Sequence, residues 1–293
     1  MKISMLDILL DPAQLVVRFQ PIFHLQEGEQ WIDSYEALVR GPQGTNFERA
    51  DILFDYVRRK KAEGEVDRSC VSAICHAVEA LPAHVRINFN VHAGTLANNP
   101  GFTEFFEHEV SKRSLAIGRF TAEIVEHAPS YNVPRLIEAI RSLRECGVRI
   151  ALDDVGLGTS NYRMILDCDP DYFKLDAYFV QGVSVDSKRR AVARSLLSLA
   201  DSLGGSVVAE GAESTETITT LSRLGVELFQ ANLLCAPLPL AALRDNGLLE
   251  PEMAVAPPRV TARLEIARPG PALLTPETER LSAEEKYLLP SRL

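Results

Sequence analysis

The stretch Val148-Arg149-Ile150-Ala151-Leu152-Asp153-Asp154 is an apolar run that stops abruptly at two carboxylates. An isolated polar or charged residue also stands in or after other short apolar runs, at Glu36, Asn90, Glu123, Lys174 and Glu210. A buried charge costs free energy unless it is paired or bound to a metal. Repetition of this pattern in successive strands therefore predicts that these side chains meet in one polar site.

Strand-like and helix-like segments alternate on both sides of this stretch. The predicted strands cover residues 16–25, 34–40, 85–91, 119–125, 148–152, 172–175, 206–209 and 226–230. Predicted helices, with apolar residues on one face, cover residues 66–81, 101–113, 134–146, 188–203 and 215–224. Such units with short glycine-rich connections predict an α/β protein with a parallel sheet. Seven or eight units in about 230 residues predict a TIM-like (β/α)8 barrel with the polar residues at its mouth.

The character of the chain changes near residue 249. The prolines that interrupt this part are Pro251, Pro257, Pro258, Pro269, Pro271 and Pro276. No sustained periodicity remains, apart from a short helix predicted at residues 282–288. We therefore expect a barrel domain at residues 1–248 and a Pro-rich C-terminal extension at residues 249–293 that is irregular or partly disordered.

Composition narrows the classes of partner and the cellular compartment. The net charge of −9 provides no basic surplus for binding a nucleic-acid polymer. No apolar run approaches the roughly 20 residues that span a bilayer, and the N-terminal residues do not resemble a signal peptide. The five cysteines have no metal-like spacing, which favours buried free thiols in a reducing compartment. We expect a cytoplasmic protein that does not bind membranes.

The polar residues of the strands are typical of a metal site. Five carboxylates, one amide and one lysine offer hard oxygen ligands that suit Mg²⁺ or Mn²⁺ rather than zinc. The adjacent Asp153 and Asp154 would let one carboxylate bridge two cations about 3.5–4 Å apart, as in phosphoester hydrolysis. Neighbouring residues begin on opposite faces of a strand, so both reach the site only if the strand ends at Asp153 or the following glycines let the chain turn. Any one of these residues alone is more typical of a cap or turn, but six potential ligands together favour a metal site.

The same residues carry a resemblance to a known family. Glu36-Ala37-Leu38, followed by Val39-Arg40, resembles the signature of the EAL-domain family of cyclic di-GMP phosphodiesterases. The further motifs that follow in the family's order are Gln20-Pro21, Asn90, Glu123-Ile124-Val125-Glu126, Asp153-Asp154, Lys174-Leu175-Asp176, Ala209-Glu210-Gly211-Ala212-Glu213 and Gln230. The resemblance extends from Arg18 to Leu248, nearly the whole predicted barrel.

The resemblance implies hydrolysis of one phosphodiester bond of cyclic di-GMP to linear pGpG, with two Mg²⁺ or Mn²⁺ ions per site and inhibition by Ca²⁺. The implied metal ligands are Glu36, Asn90, Glu123, Asp153, Asp154 and Glu210. The implied catalytic residues are Lys174, Glu210 and Glu36, with Glu210 acting as base or as ligand. The implied substrate-binding residues are Gln20, Leu38, Arg40 and Gln230, and the implied supporting residues are Glu126 and Glu213.

Departures from the family pattern leave alternatives open. The loop at residues 154–161 keeps two glycines and Ser160 but lacks the family's two aromatic residues and first threonine. His92 replaces the usual serine, and Ala231-Asn232 replace the usual Gly-Tyr. In the family this loop couples metal binding to dimerisation, which implies a homodimer, and a regulatory protein partner is a further expectation. The alternatives are a weak or inactive domain that acts as a cyclic di-GMP receptor or scaffold, and a different barrel metalloenzyme such as an enolase-like lyase.

Overall fold

The computed structural model describes residues 4–26, 28–125, 132–156 and 162–249. The strands are β1 (Val16–Gln26), β2 (Glu29–Arg40), β3 (Ile87–His92), β4 (Phe120–Val125), β5 (Arg149–Val155), β6 (Tyr172–Leu175), β7 (Ser206–Glu210) and β8 (Leu228–Gln230). The α-helices are α1 (Met5–Leu9), α2 (Ala50–Lys60), α3 (Glu63–Val78), α4 (Ala93–Asn98), α5 (Phe102–Ser111), α6 (Val133–Glu145), α7 (Tyr162–Cys168), α8 (Ala177–Val180), α9 (Ser187–Ser202), α10 (Thr215–Leu224) and α11 (Leu240–Asp245). All eight predicted strands are present, with ends shifted by a few residues.

The strands close into a barrel in which neighbours in the chain are neighbours in the sheet, and β8 returns to β1. Strands β2 to β8 run parallel, whereas β1 is antiparallel to both β2 and β8. Only two residues separate β1 from β2, and a parallel crossover needs about a dozen or more. The TIM-like barrel is therefore confirmed, and among the described strands β1 is the one antiparallel strand of a sheet that is otherwise parallel, as predicted. As a consequence, the start of β1 lies at the barrel mouth.

The helices pack around the barrel through apolar faces. Helix α6 begins after the Asn132 cap and buries Leu136, Ile140 and Leu143, which is the spacing expected of one helix face. The sequence pattern did not predict α2, because its two buried residues, Leu53 and Val57, make only a short apolar stripe. The main hydrophobic core lies between these helices and the outer face of the strands.

A second, smaller apolar cluster lies inside the barrel. It consists of Ile22, Val208 and Leu228, with Tyr172 packed against it. Side chains alternate between the two faces of a strand, so the next interior residues lie two positions nearer the mouth. On these four strands they are Gln20, Lys174, Glu210 and Gln230. The apolar cluster is therefore the floor beneath a polar layer.

Four of the five cysteines are buried, as predicted, whereas Cys146 is half-buried. Leu248 and Leu249 are buried in the main core, and the Leu248 carbonyl accepts a hydrogen bond from Tyr35 Oη. The rest of the predicted extension, residues 250–293, lies outside the described residues. Within the described ranges, no helix combines the length and the apolar character needed to cross a bilayer.

Candidate active site at the barrel mouth

Lys174 lies at the centre of the polar layer. Its Nζ is 2.6 Å from Glu123 Oε2 and 2.7 Å from Glu210 Oε1. It is also 3.3 Å from both Glu36 Oε2 and Asp153 Oδ1. Burial lowers the pKa of Lys174, but the four carboxylates outweigh burial and raise this pKa well above the ordinary lysine value. The structure thus brings together four of the predicted ligands around one buried cation.

Strand geometry explains why these side chains converge. On β6, Phe173 and Leu175 are buried on the outer face, so Lys174 between them points into the barrel. Asn90 of β3 pairs in register with Glu123 of β4, which places both at the same height in the barrel. Alternation along each strand thus puts apolar side chains on the outer face and the polar side chain inside the barrel.

Glu36 accepts hydrogen bonds from two amide side chains, one on β3 and one on β8. Asn90 Nδ2 donates to Glu36 Oε1 at 2.6 Å, and Gln230 Nε2 donates to Glu36 Oε2. Burial acts to raise the pKa of Glu36, but Lys174 and these hydrogen bonds lower it below the usual glutamate value. Glu36 therefore carries its negative charge inside the barrel, as a metal ligand requires.

Glu123 is more deeply buried and has the opposite tendency. Its side chain is 0% exposed, and its Oε1 accepts a hydrogen bond of 2.8 Å from Asn88 Nδ2. Burial and then the charge of Glu36 raise the pKa of Glu123 to about 8. Sequence reasoning missed Asn88 as a site residue, although its position two residues before Asn90 on the same strand face was the available signal.

A bulge at the end of β5 brings the adjacent aspartates to one site. The step from Leu152 to Val155 on β5 opposes a shorter step on β6, and Asp154 has a left-handed backbone with φ of 51°. Asp tolerates this conformation better than most residues, and a bulge re-aims side chains. One carboxylate oxygen each from Asp153, Asp154 and Glu210 lies within 4.8 Å of the other two. The strand continues past Asp153 to Val155. The bulge is therefore what lets two adjacent aspartates, which would otherwise lie on opposite faces of the strand, reach the same site.

Glu210 is followed by a turn that requires glycine. Gly211 has φ of +65°, and a Cβ atom at this position would lie 2.7 Å from Ala177 Cβ. The Gly211 N–H donates to the Gln230 carbonyl at 2.9 Å, which ties the ends of β7 and β8 together. A larger residue at 211 would displace the backbone that carries Glu210.

The carboxyl groups of the site outnumber the cations available to them. Burial raises the pKa of Glu210 well above its ordinary value, and the charge of Asp153 adds to the rise although Lys174 opposes it. Burial and the charge of Asp153 also raise the pKa of Asp154 to about 6. One ammonium is thus too little positive charge for the acids around it.

The donor set fits divalent cations. If the five carboxylates are all ionised, they and Lys174 carry four net negative charges, the amount that two divalent cations would neutralise. Carboxylate oxygens are the ligands that Mg²⁺ and Mn²⁺ prefer. Among the described residues, the buried Gln230 Oε1 has no hydrogen-bond partner, which leaves an acceptor for water or ligand.

Two cavities open beside the carboxylates. One, of about 470 Å³, is lined by Glu36, Asn90 and Asp153 together with the predicted substrate-binding residues Leu38 and Arg40. The predicted residues that line the other, of about 670 Å³, are Gln20, Glu36, Asp153, Lys174, Glu210, Glu213 and Gln230. The predicted substrate residues are thereby divided between two sides of the carboxylate cluster.

The remaining predicted residues have distinct surroundings. Gln20 Nε2 donates to Asn232 Oδ1 and to the Cys235 carbonyl, both at 3.1 Å, so Gln20 is anchored within the barrel. Glu213 is exposed and accepts a hydrogen bond of 2.9 Å from Gln181 Nε2. Glu126 and residues 157–161 of the loop lie outside the described residues.

His92 belongs to a hydrogen-bonded group that sequence reasoning did not anticipate. His92 Nδ1 is 2.9 Å from Asp67 Oδ1, and the backbone N–H of His92 donates to Asp67 Oδ2 at 3.0 Å. Thr95 Oγ1 also donates to Asp67 Oδ2, at 2.5 Å. Burial lowers the pKa of His92, but Asp67 outweighs it and raises the pKa above the ordinary value. His92 is thus a fixed wall residue of the smaller cavity.

Known proteins share both the sequence and the fold. Cyclic di-GMP phosphodiesterase NbdA of Pseudomonas aeruginosa is 29% identical over 238 residues, which are 79% of this chain and 30% of NbdA. The chain therefore spans less than a third of that relative's length. Klebsiella pneumoniae BlrP1 bound to cyclic di-GMP with manganese has a TM-score of 0.67 and 23% identity, over 77% of this chain and 56% of BlrP1. The calcium complex of BlrP1 with cyclic di-GMP has a TM-score of 0.68 and 23% identity, over 78% of this chain and 57% of BlrP1. The family model of the EAL domain matches residues 4–237, and this chain belongs to the EAL domain family.

Proposed function

We propose that this EAL domain hydrolyses one phosphodiester bond of cyclic di-GMP to linear pGpG with the help of two divalent cations. The observation that carries the proposal is the buried cluster in which Lys174 contacts four carboxylates, with Asp154 close by as a fifth. Relatives named as cyclic di-GMP phosphodiesterases, such as NbdA, support the choice of substrate.

The strand-end oxygens would hold the cations. The proposed ligands of the first cation are Glu36, Asn90, Glu123 and Asp153, and those of the second are Asp153, Asp154 and Glu210. Asp153 would serve both cations, because it lies beside Lys174 together with Glu36 and Glu123 and also within the oxygen group of Asp154 and Glu210. When bound, such cations polarise phosphate oxygens and make an attacking water more acidic.

Lys174 would stabilise negative charge on the phosphate. Its ammonium has three N–H donors and is shared among four carboxylates. In the metal-loaded site, Lys174 would have an N–H donor free for the phosphate, where charge develops during the reaction. Glu210, on the larger cavity, would bind the second cation or accept the proton of the attacking water.

The two cavities would hold the nucleotide on either side of the cleaved bond. Leu38 and Arg40 line the smaller cavity and would contact one half of the substrate. Gln20 and Gln230 line the larger cavity, where the Gln230 amide oxygen is an acceptor for water at the reacting phosphate.

A product assay tests this function directly. The chain is incubated with cyclic di-GMP and Mg²⁺ or Mn²⁺, and linear pGpG is followed by chromatography. We expect pGpG with either metal and none in EDTA or in the Glu36→Gln variant. Tight nucleotide binding without turnover would instead establish a receptor or scaffold. Neither binding nor turnover would point to another metalloenzyme, such as a lyase.

We propose that two copies associate through the surface that follows the aspartate loop. On this surface Tyr162 is 71% exposed and Leu166 is 74% exposed, both on α7. Large apolar side chains exposed this far are typical of an interface. Light scattering should report a homodimer that Leu166→Asp converts to a monomer, whereas Leu10→Asp, at a leucine 37% exposed, should leave it intact. A monomeric parent chain would contradict the proposal, and a regulatory protein partner would then be the remaining candidate for this surface.

A further inference from the structure

Two arginines lie side by side at the barrel mouth. In the antiparallel pair of β1 and β2, Arg18 lies opposite Leu38 and Val16 lies opposite Arg40. Residues two apart share a strand face, and diagonal neighbours on adjacent strands are about 7–8 Å apart. Arg18 and Arg40 are such diagonal neighbours, and both line a cavity of about 530 Å³.

No described carboxylate forms an ion pair with either arginine. Arg40 Nη1 donates to the Val39 carbonyl at 2.9 Å. Glu48 is the acid that lines the cavity, and its carboxylate accepts the N–H of Gly44. Burial and the positive charge of Arg18 lower the pKa of Arg40, and the negative charge of Glu36 only partly opposes them. The two positive charges therefore repel each other across a polar cavity.

The pair lies next to the carboxylate cluster. Arg40 lines the 530 Å³ cavity and also the 470 Å³ cavity that Glu36 and Asp153 line. Gln20 lies opposite Glu36 in the register of β1 and β2, and Arg18 is two residues farther toward the mouth, a rise of about 7 Å. A small ligand with one anionic group at the carboxylate-bound cations would bring a second anionic group to the arginines.

We propose that Arg18 and Arg40 together clamp the second phosphate of the substrate, the one that is not cleaved. Arg18 is then a specificity-determining residue that favours ligands with two phosphates over ligands with one. This inference rests on the proposed function, because cyclic di-GMP carries two phosphodiester groups. Guanidinium groups present planar pairs of donors that match phosphate oxygens, and the phosphate charge would relieve the repulsion between the two arginines.

Steady-state kinetics separate the clamp from general loss of function. Arg18→Gln and Arg18→Lys are compared with the parent chain and with Arg141→Gln, which removes the same charge at an exposed position of α6. The substrates are cyclic di-GMP and bis(p-nitrophenyl) phosphate, which has a single phosphodiester. We expect Arg18→Gln to raise KM for cyclic di-GMP about tenfold or more with little change in kcat. Arg18→Lys should restore part of this loss, and bis(p-nitrophenyl) phosphate should be unaffected. Equal effects on both substrates, or none on either, would overturn the assignment of Arg18.

A second measurement does not depend on turnover. Thermal unfolding is recorded in EDTA with inorganic phosphate or with chloride at the same ionic strength. Phosphate should stabilise the parent chain and Arg141→Gln but not Arg18→Gln, which should be the more stable variant in chloride because its repulsion is removed. If the parent chain neither binds nor cleaves cyclic di-GMP, the proposed function fails while this comparison still decides the clamp. Equal phosphate stabilisation of the parent chain and Arg18→Gln would sink the clamp itself.

Discussion

Lys174 donates a hydrogen bond to Glu123 inside the barrel, with 2.6 Å between Nζ and Oε2 and side chains that are 2% and 0% exposed. The site is sensitive to the loss of this lysine, because the other carboxylates around it would be left without compensation. The pair also joins the proposed first cation site to the residue that would meet the phosphate. Stability and chemistry are therefore coupled at Lys174.

Replacing Lys174 with methionine should separate these two roles. Without the ammonium, the metal-free protein should lose roughly 3–5 kcal/mol of unfolding free energy, measured by chemical denaturation in EDTA. With Mn²⁺ present, calorimetry should still show cation binding while pGpG formation falls about 100-fold or more. Lys112→Met, at an exposed position, should match the parent chain. Loss of cation binding in Lys174→Met would show that its role has been misplaced.

Replacing Glu36 with glutamine should abolish turnover. The change keeps the shape of the side chain but removes the charge that Asn90 and Lys174 surround, so the first cation loses a ligand. Calorimetric Mn²⁺ titration should show a weakened site, and pGpG should fall below detection. Glu138→Gln, on an exposed position of α6, is the matched control. Turnover at the parent rate in Glu36→Gln would refute the metal assignment.

The metal-free protein should become less stable as the pH rises from 6.5 to 8. Burial and the charge of Glu36 raise the pKa of Glu123 from an ordinary 4.5 to about 8 in the folded state. In this window the folded state keeps a proton that the unfolded chain has lost, which removes up to about 1.4 kcal/mol per pH unit. The pKa of His92 is also raised in the folded state, so this residue too makes the protein less stable as the pH rises. Denaturation at both pH values in EDTA measures the effect, and greater stability at pH 8 would contradict it.

Cation binding should reverse this pH trend. Because cations bind deprotonated carboxylates, their affinity should increase over the same pH range and protons should be released on binding. Mg²⁺ or Mn²⁺ should therefore stabilise the protein more at pH 8 than at pH 6.5. Thermal unfolding with and without metal at each pH provides the comparison.

Calcium should bind and inhibit. Ca²⁺ takes six to eight oxygens at about 2.3–2.6 Å, whereas Mg²⁺ requires an octahedron at about 2.0–2.1 Å. The larger ion would spread the oxygens of Asp153, Asp154 and Glu210, which now lie within 4.8 Å of one another. Adding Ca²⁺ to a reaction at fixed Mg²⁺ should slow pGpG formation, and excess Mg²⁺ should restore it. A faster reaction in Ca²⁺ would disprove this prediction.

Local patterns predicted much of the fold and of the site. Apolar runs predicted every strand, and the polar residues in or after them, such as Glu36, Asn90 and Lys174, were predicted to meet at the barrel mouth. Pairs formed across long separations were not predictable in the same way. Asn88 bonds Glu123 at a separation of 35 residues, and His92 meets Asp67 at a separation of 25. Such contacts depend on the register between elements, which no single segment encodes.

The sequence by itself determined which segments become strands and which side chains share a face, because alternation is a property of each strand alone. Tertiary structure decided how those faces meet. The bulge in β5 brings both aspartates to one site, and barrel closure places Lys174 against acids from four other strands. The antiparallel direction of β1 places Arg18 beside Arg40. Register and direction are relations between strands, and they are set only when the barrel closes and every interior side chain must fit at once.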